Sequence, residues 1–169
     1  RNAALTATLK REPRAVTGPD GSGDPNTTHI SVVDARGTAV SMTNTITSYW
    51  GSRTYVAGFF LNDQLGRFDL IGNTAANRPA PGRRSVTWSS PAMVVDDAGR
   101  PVLVIGAPGG SQIPNTTASV VLRWALLGQG LDVAVPAARF KLDNGLMRLE
   151  SSRHVAALRK LGYRTRVMP

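Results

Sequence analysis

TTHISVVDARGTAVSMTNT, residues 27–45, is the stretch that decides the fold of this chain. Its β-branched residues alternate with other side chains on both sides of Ala35-Arg36-Gly37, a pattern typical of two strands joined by a turn. The preceding residues 11–26 are rich in Gly, Pro, Asp and Ser and lack apolar periodicity, which indicates a linker. The sequence therefore predicts a β-hairpin that begins directly at Thr27.

The remaining sequence predicts further strands and helices in a mixed order. Strands are predicted over 55–62, in a second hairpin around 97–99, over 146–150 and over 163–167. Helices are predicted from 114 to 129, from Asp132 through 140 and over 152–162. Residues 63–88 have the composition of a long surface loop. The second hairpin is nearly continuously apolar, which predicts burial on both faces. The predicted fold class is α+β.

The composition excludes several classes of function. The absence of cysteine excludes disulfides, thiolate catalysis and thiolate metal sites, and two histidines, His29 and His154, are too few for a metal cluster. No metal and no cofactor are therefore predicted. No apolar run approaches the roughly 20 residues that cross a bilayer. Residues 1–26 do not have the pattern of a signal peptide, so a cytoplasmic location or an export signal further upstream is expected.

The net charge of +9 comes mostly from arginine. The basic residues are scattered along the chain and are not interleaved with aromatics, which argues against a nucleic-acid site. Two interpretations are consistent with this pattern. The bases either form a solvated surface, or they belong to part of a larger molecule whose other part is acidic.

Thr27 has a specific chemical use at the start of a strand that follows a linker. If the Asn26–Thr27 bond is cut, Thr27 gains an α-amine with an ordinary pKa of about 7.7–8.0, which can act as base for the hydroxyl of the same residue. In the uncut chain that hydroxyl can attack the Asn26 carbonyl, and an N-to-O acyl shift followed by hydrolysis releases the new terminus. The alternative is that the threonine pair reflects strand propensity alone.

PGGS, residues 108–111, is a second candidate element of a catalytic site. Consecutive glycines allow backbone N–H groups to converge on an anion, and these lie between an apolar strand and a predicted helix N-terminus. Gly109 and Gly110 are therefore candidates for an oxyanion hole. The alternative is a plain strand-to-helix turn. A Walker phosphate loop is excluded because no Gly-Lys-Ser/Thr follows.

Taken together, these features resemble the small subunit of the γ-glutamyltranspeptidase family, whose mature chain opens with Thr-Thr-His. Three later blocks resemble that subunit in the same order and at similar spacing: LNDQ (61–64), SSPAMVV (89–95) and GAPGGSQI (106–113). The resemblance covers about 27–145 and becomes loose beyond 150, and the chain stops at Pro169, earlier than this family leads us to expect. It implies an N-terminal nucleophile hydrolase, with a four-layer αββα sandwich shared between large and small subunits cut from one precursor.

The resemblance also implies roles for individual residues. Thr27 would be the nucleophile, Thr45 the second threonine that hydrogen-bonds to it, and Gly109 with Gly110 the oxyanion hole. Residues 1–26 would be the tail of the large subunit and the linker before the cleavage site at Asn26–Thr27. Residues 27–169 would be the small-subunit catalytic domain. The implied partners are the large subunit and a small-molecule amide, and the family's habit of export implies a periplasmic or secreted location.

The substrate-binding positions depart from the family pattern. Thr47 stands where the family has an Asn, Gln64 is retained, and Arg67 replaces an Asp that pairs with the substrate's α-ammonium. Thr87 and Trp88 align with a serine pair that binds the α-carboxylate, although two serines follow directly.

A guanidinium repels an ammonium and suits an acyl group that carries a carboxylate. We therefore expect a γ-glutamyltranspeptidase-like amide hydrolase or acyltransferase with altered acyl specificity. A cephalosporin-acylase-like amidohydrolase is the alternative. A solvent-facing Arg67 without a substrate role is the other interpretation of this position.

Two further hypotheses come from different classes of protein. One is a basic binding module, and the other is an inactive, unprocessed fragment. The sequence does not decide between hydrolysis and transfer. Among the weaker features, Asp96-Asp97 is interpreted as a turn, Trp124 as a core residue, and Tyr49-Trp50 as either pocket lining or packing.

Overall fold

The structure, a computed structural model, describes residues 14–15, 27–70, 75–143 and 145–168. The chain divides into two compact units, residues 1–110 and residues 111–169. Strands and helices alternate irregularly within both units, so the α+β class predicted from the sequence is confirmed. Asn26, the predicted cleavage residue, and most of the predicted linker lie outside the described residues.

The described part of the first unit contains three small antiparallel sheets. Strands β2 and β3 form one sheet, β6 and β7 form another, and β1, β4 and β5 form a third. The strands are β1 (Arg14–Ala15), β2 (Thr27–Val33), β3 (Ala39–Thr45), β4 (Thr54–Val56), β5 (Phe59–Phe60), β6 (Ala92–Val95) and β7 (Pro101–Ile105). Val56, Phe68 and Leu103 are its buried apolar side chains.

The two predicted hairpins are confirmed, and their turns are built alike. In the turn between β2 and β3, Asp34 Oδ1 accepts the N–H groups of Arg36 and Thr38, each at 2.8 Å. In the turn between β6 and β7, Asp96 Oδ1 accepts the N–H groups of Ala98 and Arg100. This side-chain bonding is how aspartate fixes a tight turn, so the turn interpretation of Asp96 is confirmed.

Two expectations for the strands are wrong. The predicted strand over 55–62 is split into β4 and β5, because Ala57 and Gly58 both adopt positive φ and reverse the chain. The β6–β7 hairpin is not buried on both faces. The side chains of Met93, Val95 and Val102 are exposed. No element of the described chain covers this face of the hairpin.

The stretch from 63 to 88 is more ordered than the loop predicted there. It contains a 3₁₀ turn at Gln64–Gly66, helix α1 (Arg67–Leu70) and a second 3₁₀ turn at Ala75–Asn77. Asn77 is buried and donates to the carbonyl of Arg67, while its Oδ1 accepts the Val86 N–H. One buried amide therefore ties the two ends of this stretch together.

The second unit combines three helices with one sheet. Helix α2 (Ile113–Leu127) confirms the helix predicted at 114–129, and Gly128 ends it in the left-handed conformation with φ of 62°. Helix α3 (Leu131–Ala134) is capped by Gly130 rather than Asp132 and is shorter than predicted, because Pro136 cannot continue a helix. The remaining elements are β8 (Phe140–Asp143), β9 (Leu146–Leu149), α4 (Val155–Lys160) and β10 (Arg164–Val167).

The sheet of the second unit has the order β10-β9-β8, with β9 antiparallel to β8 and parallel to β10. Helix α4 makes the crossover that a parallel pair requires. The predicted strands and helix over 146–167 are confirmed. Phe140, expected to be the last residue of a helix, is instead the first residue of β8. Trp124, expected in the core, is only half-buried. The buried apolar residues are Ile113, Val120, Ala134, Met147 and Leu149.

Candidate active site

Thr27 and Thr45 lie directly opposite each other in the β2–β3 register. Both side chains are half-buried, and the alternation of the strands puts them on the same face as His29 and Thr43. The opposite face carries the apolar residues Ile30, Val32, Val40 and Met42. The hairpin therefore presents one polar face, with the two threonines at its end.

His29 connects this polar face to β7. Its Nδ1 lies 3.0 Å from Thr43 Oγ1 and its Nε2 lies 2.9 Å from Ser31 Oγ. The ring lies so close to Gly106 that any β-carbon there would overlap it. His29 is thus a structural residue of the strand, as expected, and it requires glycine at the end of β7.

The direction of β7 leads the chain toward the two threonines. The Ser41 hydroxyl donates to the Ile105 carbonyl at 3.0 Å, and Gly106 lies against His29, which is opposite Thr43. Ile105 therefore lies beside Ser41, and the next residue, Gly106, lies beside the His29–Thr43 pair. The chain thus runs toward the end of the hairpin that carries Thr27.

Gly109 and Gly110 follow Gly106 by three and four residues. Gly109 has a φ of 126° and Gly110 a φ of 57°, backbone conformations that residues other than glycine rarely adopt. Gly110 is buried and Gly109 is exposed. Successive residues of this kind can turn their N–H groups toward one point, as an anion-binding turn requires.

Thr47 is held in a strained conformation between Thr45 and Gln64. It is 7% exposed and has a φ of 80°, which is unusual for a β-branched residue. Its N–H donates to Thr45 Oγ1 at 2.9 Å, and its hydroxyl donates to Gln64 Oε1 at 3.0 Å. The structure thus brings three of the predicted site residues together in one chain of hydrogen bonds.

Gln64 is fixed from the other side by residues 85 and 86. Its Nε2 donates to Ser85 Oγ and to the Val86 carbonyl, each at 3.0 Å, and Ser85 Oγ donates back to the Gln64 carbonyl. Both N–H donors of the side-chain amide are therefore used within the protein. The side-chain oxygen Oε1 of Gln64, which already accepts from Thr47, is the group that can still accept a hydrogen bond from a ligand.

Arg67 and Trp88, both predicted to contact substrate, contact each other. The guanidinium carbon lies 4.1 Å from the centroid of the Trp88 ring, a cation–π arrangement. Partial burial lowers the pKa of Arg67 below its ordinary value, and attraction to Asp63 opposes this shift. Arg67 stays positively charged at neutral pH. Thr87 is exposed, and its Oγ1 accepts the Ser89 N–H at 3.1 Å.

Ser48 and Asp63 also support the candidate site, and the sequence reasoning missed them. The Ser48 N–H donates to Asp63 Oδ1 at 3.1 Å and the Ser48 hydroxyl donates to Oδ2 at 2.5 Å. The Asp63 N–H donates in turn to the Ile46 carbonyl. This clamp holds the segment of Thr47 against that of Gln64. The available signal was the position of Asp63, directly before Gln64 in the LNDQ block.

Tyr49 and Trp50 form part of an aromatic cluster beside this clamp. Their rings contact each other edge to face, and Trp50 and Tyr55 both contact Phe60 at centroid distances of about 5 Å. The contacts favour the packing interpretation of the pair. Within the described residues no group of three His, Cys, Asp or Glu side chains is arranged to hold a metal ion. None of the helices described is long and apolar enough to cross a membrane.

Solved structures that are similar to this chain identify the class of fold as that of N-terminal nucleophile hydrolases. A Helicobacter pylori γ-glutamyltranspeptidase mutant superposes with a TM-score of 0.74 and 30% identity, covering 84% of this chain and 85% of that chain. The Bacillus anthracis transpeptidase CapD superposes with a TM-score of 0.63 and 28% identity, covering 84% of this chain and 78% of that one.

The γ-glutamyltranspeptidase family model matches residues 3–168, so the chain belongs to that family. The glutathione hydrolase proenzyme of Pseudomonas sp. (strain A14) is 38% identical over 126 residues, 68% of this chain and 22% of the relative. The capsule biosynthesis protein CapD proenzyme of Bacillus anthracis is 42% identical over 90 residues, 53% of this chain and 16% of the relative. The chain therefore spans about a fifth of the length of these relatives.

Proposed function

We propose that Thr27 is the nucleophile of an amide hydrolase or acyltransferase of the γ-glutamyltranspeptidase type, freed by cleavage after Asn26. The observation that carries the proposal is the pairing of Thr27 with Thr45 at the open end of the polar hairpin face. The N–H of Thr47 donates to Thr45 Oγ1 and orients this hydroxyl group. The proposed role of the Thr45 hydroxyl is to hydrogen-bond to the nucleophile oxygen. Membership of a family with members named as proenzymes supports the cleavage step.

The reaction then uses one residue for attack and for proton transfer. The Thr27 amine takes the proton of its own hydroxyl while Oγ1 attacks the substrate carbonyl. The negative charge that develops on the carbonyl oxygen is stabilised by the N–H groups of Gly109 and Gly110. When the tetrahedral intermediate collapses, the amine of the substrate leaves and receives the proton from the Thr27 α-ammonium. The acyl group remains as an ester on Thr27. Water resolves the ester in hydrolysis, and an acceptor amine resolves it in transfer.

Arg67 supports an altered choice of acyl group. Its stacking on Trp88 holds the cation at the start of helix α1, directly after the 3₁₀ turn that begins at Gln64. Gln64 is joined to Thr45 through Thr47. A positive charge at this point favours an acyl donor with a free carboxylate and disfavours one with an ammonium. The proposed substrates are therefore monoamides of dicarboxylic acids, in the manner of cephalosporin acylases, rather than ordinary γ-glutamyl compounds.

The remainder of the precursor is the proposed partner. The apolar face of the β2–β3 hairpin is uncovered in the described chain, with exposed fractions between 41% and 52% for Ile30, Val32, Val40 and Met42. Contiguous apolar surface of this kind marks an interface. We infer that the large subunit covers it. Export to the periplasm or outside the cell completes the proposal and rests on family resemblance.

Intact-mass measurement on the full-length protein tests the mechanism. A split between Asn26 and Thr27 is expected, and Thr27→Ala should abolish it together with all turnover. Thr28→Ala is the matched control, since Thr28 is exposed on the other face of the same strand. An uncut protein that turns over amides, or a split that persists in Thr27→Ala, would contradict the proposal.

A panel of p-nitroanilides tests the acyl preference separately. We expect faster release from the glutaryl anilide than from the γ-glutamyl anilide, measured as kcat/KM for the processed enzyme. A preference for the γ-glutamyl anilide would remove the role of Arg67 and leave the nucleophile untouched.

A further inference from the structure

Residues 47–58 form a strained segment of the first unit, directly after strand β3. Thr47, Arg53 and Ala57 all have positive φ, and within the described residues they are the ones other than glycine that do. Such a conformation is costly for a residue with a β-carbon, and it persists only where the surrounding structure enforces it. Strain of this kind is typical of functional sites, so the contacts that enforce it bear on function.

Thr47 is the most costly of the three residues, because its β-carbon is branched. Its conformation brings its N–H within 2.9 Å of Thr45 Oγ1. This is a turn in which a hydroxyl accepts the N–H of the residue two positions further along the chain. The direction of the Thr45 hydroxyl is therefore tied to the backbone conformation of Thr47.

Asp63 holds the backbone on both sides of Thr47. Its Oδ1 accepts the Ser48 N–H at 3.1 Å, and its Oδ2 accepts the Ser48 hydroxyl at 2.5 Å. Its own N–H donates to the Ile46 carbonyl at 3.3 Å. Hydrogen bonds to a carboxylate are stronger than those between neutral groups. One residue thus contacts both chain neighbours of Thr47, and two of its three bonds go to the carboxylate.

The residues proposed to bind the acyl group have other supports. The side-chain amide of Gln64 is anchored by Ser85 and Val86, and Arg67 has a ring contact of its own. Loss of the contacts of Asp63 should therefore disturb the conformation of Thr47 more than the binding of a substrate. The two effects are separable, because the first changes kcat and the second changes KM.

We propose that Asp63 is a positioning residue for the reaction of Thr27. Its carboxylate keeps Thr47 in the strained conformation, which keeps the Thr47 N–H on the Thr45 hydroxyl. The inference rests on the proposed function, in which that hydroxyl bonds to the nucleophile oxygen. Without the carboxylate, Thr47 relaxes toward an ordinary conformation, and the Thr45 hydroxyl loses the donor that directs it.

The test measures kcat and KM of the processed full-length protein, on whichever p-nitroanilide of the panel it turns over faster. Asp63→Asn keeps an oxygen for the Ser48 N–H but replaces the other with an NH₂ group, which cannot accept the Ser48 hydroxyl. We expect kcat to fall about tenfold or more, the effect of losing one hydrogen bond to a charged group, while KM changes little. Ser48→Ala should act in the same direction, and Ser48→Thr, which keeps the hydroxyl, should retain most of the activity.

Asp34→Asn is the matched control. The Asp34 carboxylate also accepts two backbone N–H groups in the first unit, but at the end of the β2–β3 hairpin opposite to Thr27. This variant should keep the kcat of the wild-type protein. Equal losses in Asp34→Asn and Asp63→Asn would overturn the proposal, because general destabilisation would then explain them. A wild-type kcat in Asp63→Asn, or a change confined to KM, would overturn it as well.

Ser48→Ala decides the question if Asp63→Asn does not fold, since it removes a single hydroxyl group. A wild-type kcat in Ser48→Ala then overturns the proposal. Thr27→Ala separates this failure from failure of the proposed function. Turnover that survives Thr27→Ala would remove both inferences. An inactive Thr27→Ala together with a wild-type kcat in Asp63→Asn would remove the positioning role alone.

Discussion

The two compact units of this chain differ in the polar side chains that they bring together. The site in residues 1–110 is built from hydroxyls, amides and glycine N–H groups, with Arg67 as its cation. A groove of about 390 Å³ in residues 111–169 is lined by three cations and one carboxylate. In the first unit, a strong charge close to Thr27 would shift the pKa of the α-amine that is proposed as its base. The following predictions test this division.

Gly110→Ala should produce the largest effect on activity. The added methyl group disturbs a buried left-handed residue and displaces a proposed oxyanion donor. Loss of one such donor lowers kcat by about 10²–10³-fold. Gly128→Ala is the matched control in the second unit, with a φ of 62° against 57° for Gly110. The measurement is kcat for both processed variants. If both lose activity equally, backbone strain rather than the oxyanion explains the loss.

Arg67→Asp should reverse the acyl preference. The substitution restores a carboxylate for an ammonium and removes the partner of a substrate carboxylate, so the ratio of glutaryl to γ-glutamyl kcat/KM should fall about 100-fold or more. Arg84→Asp makes the same charge change at an exposed position and should leave the ratio unaltered. An unchanged ratio in Arg67→Asp would show that the guanidinium only packs on Trp88.

Gly106→Ala should destabilise the first unit by about 1–3 kcal/mol, the usual effect of overpacking. The new methyl group overlaps the His29 ring. In a His29→Ala background the same substitution should have a much smaller effect, and urea denaturation of the four proteins measures the coupling. Additive effects would mean that the ring and Gly106 do not constrain each other.

Glu150→Gln should have the smallest effect. The free energy of unfolding should fall by about 0.2–1 kcal/mol at pH 7, because the ion pair between Glu150 and Arg139 is largely exposed. Hydrogen bonds from the Arg139 N–H and guanidinium hold the folded-state pKa of Glu150 below its ordinary 4.5. The stabilisation is therefore complete above the unfolded-state pKa and disappears as the pH falls through the folded-state pKa. The difference in the free energy of unfolding between the wild-type protein and Glu150→Gln should vanish in acid. A difference independent of pH would contradict the ion pair, and activity should not change in either case.

Local patterns predicted much of the secondary structure. Aspartate and glycine at 34–37 and at 96–99 carry the information for both hairpin turns, and helical spacing followed by Gly128 predicts helix α2. The errors occur where a local signal was weak or was overridden. Ala57 adopts a positive φ, which is not expected for alanine. The segment around Phe140 is so short that its sequence is compatible with either a helix or a strand.

The active-site residues divide in the same way. The motif around Thr27 and the pair Gly109-Gly110 could be read from the sequence, because their chemistry depends on residue type and neighbours in the chain. The roles of Ser48, Asp63 and Ser85 could not. Each acts through a hydrogen bond to a residue at least 15 positions away.

The sequence by itself determined the turns, the strand that starts at Thr27 and the glycine pair, since these follow from backbone preferences over a few residues. Tertiary structure alone decided that Thr47 is strained between Thr45 and Gln64, that Arg67 stacks on Trp88, and that Asp63 holds Ser48. The physical reason is that register and loop packing depend on contacts between distant segments. Their energies become available only once the chain has folded.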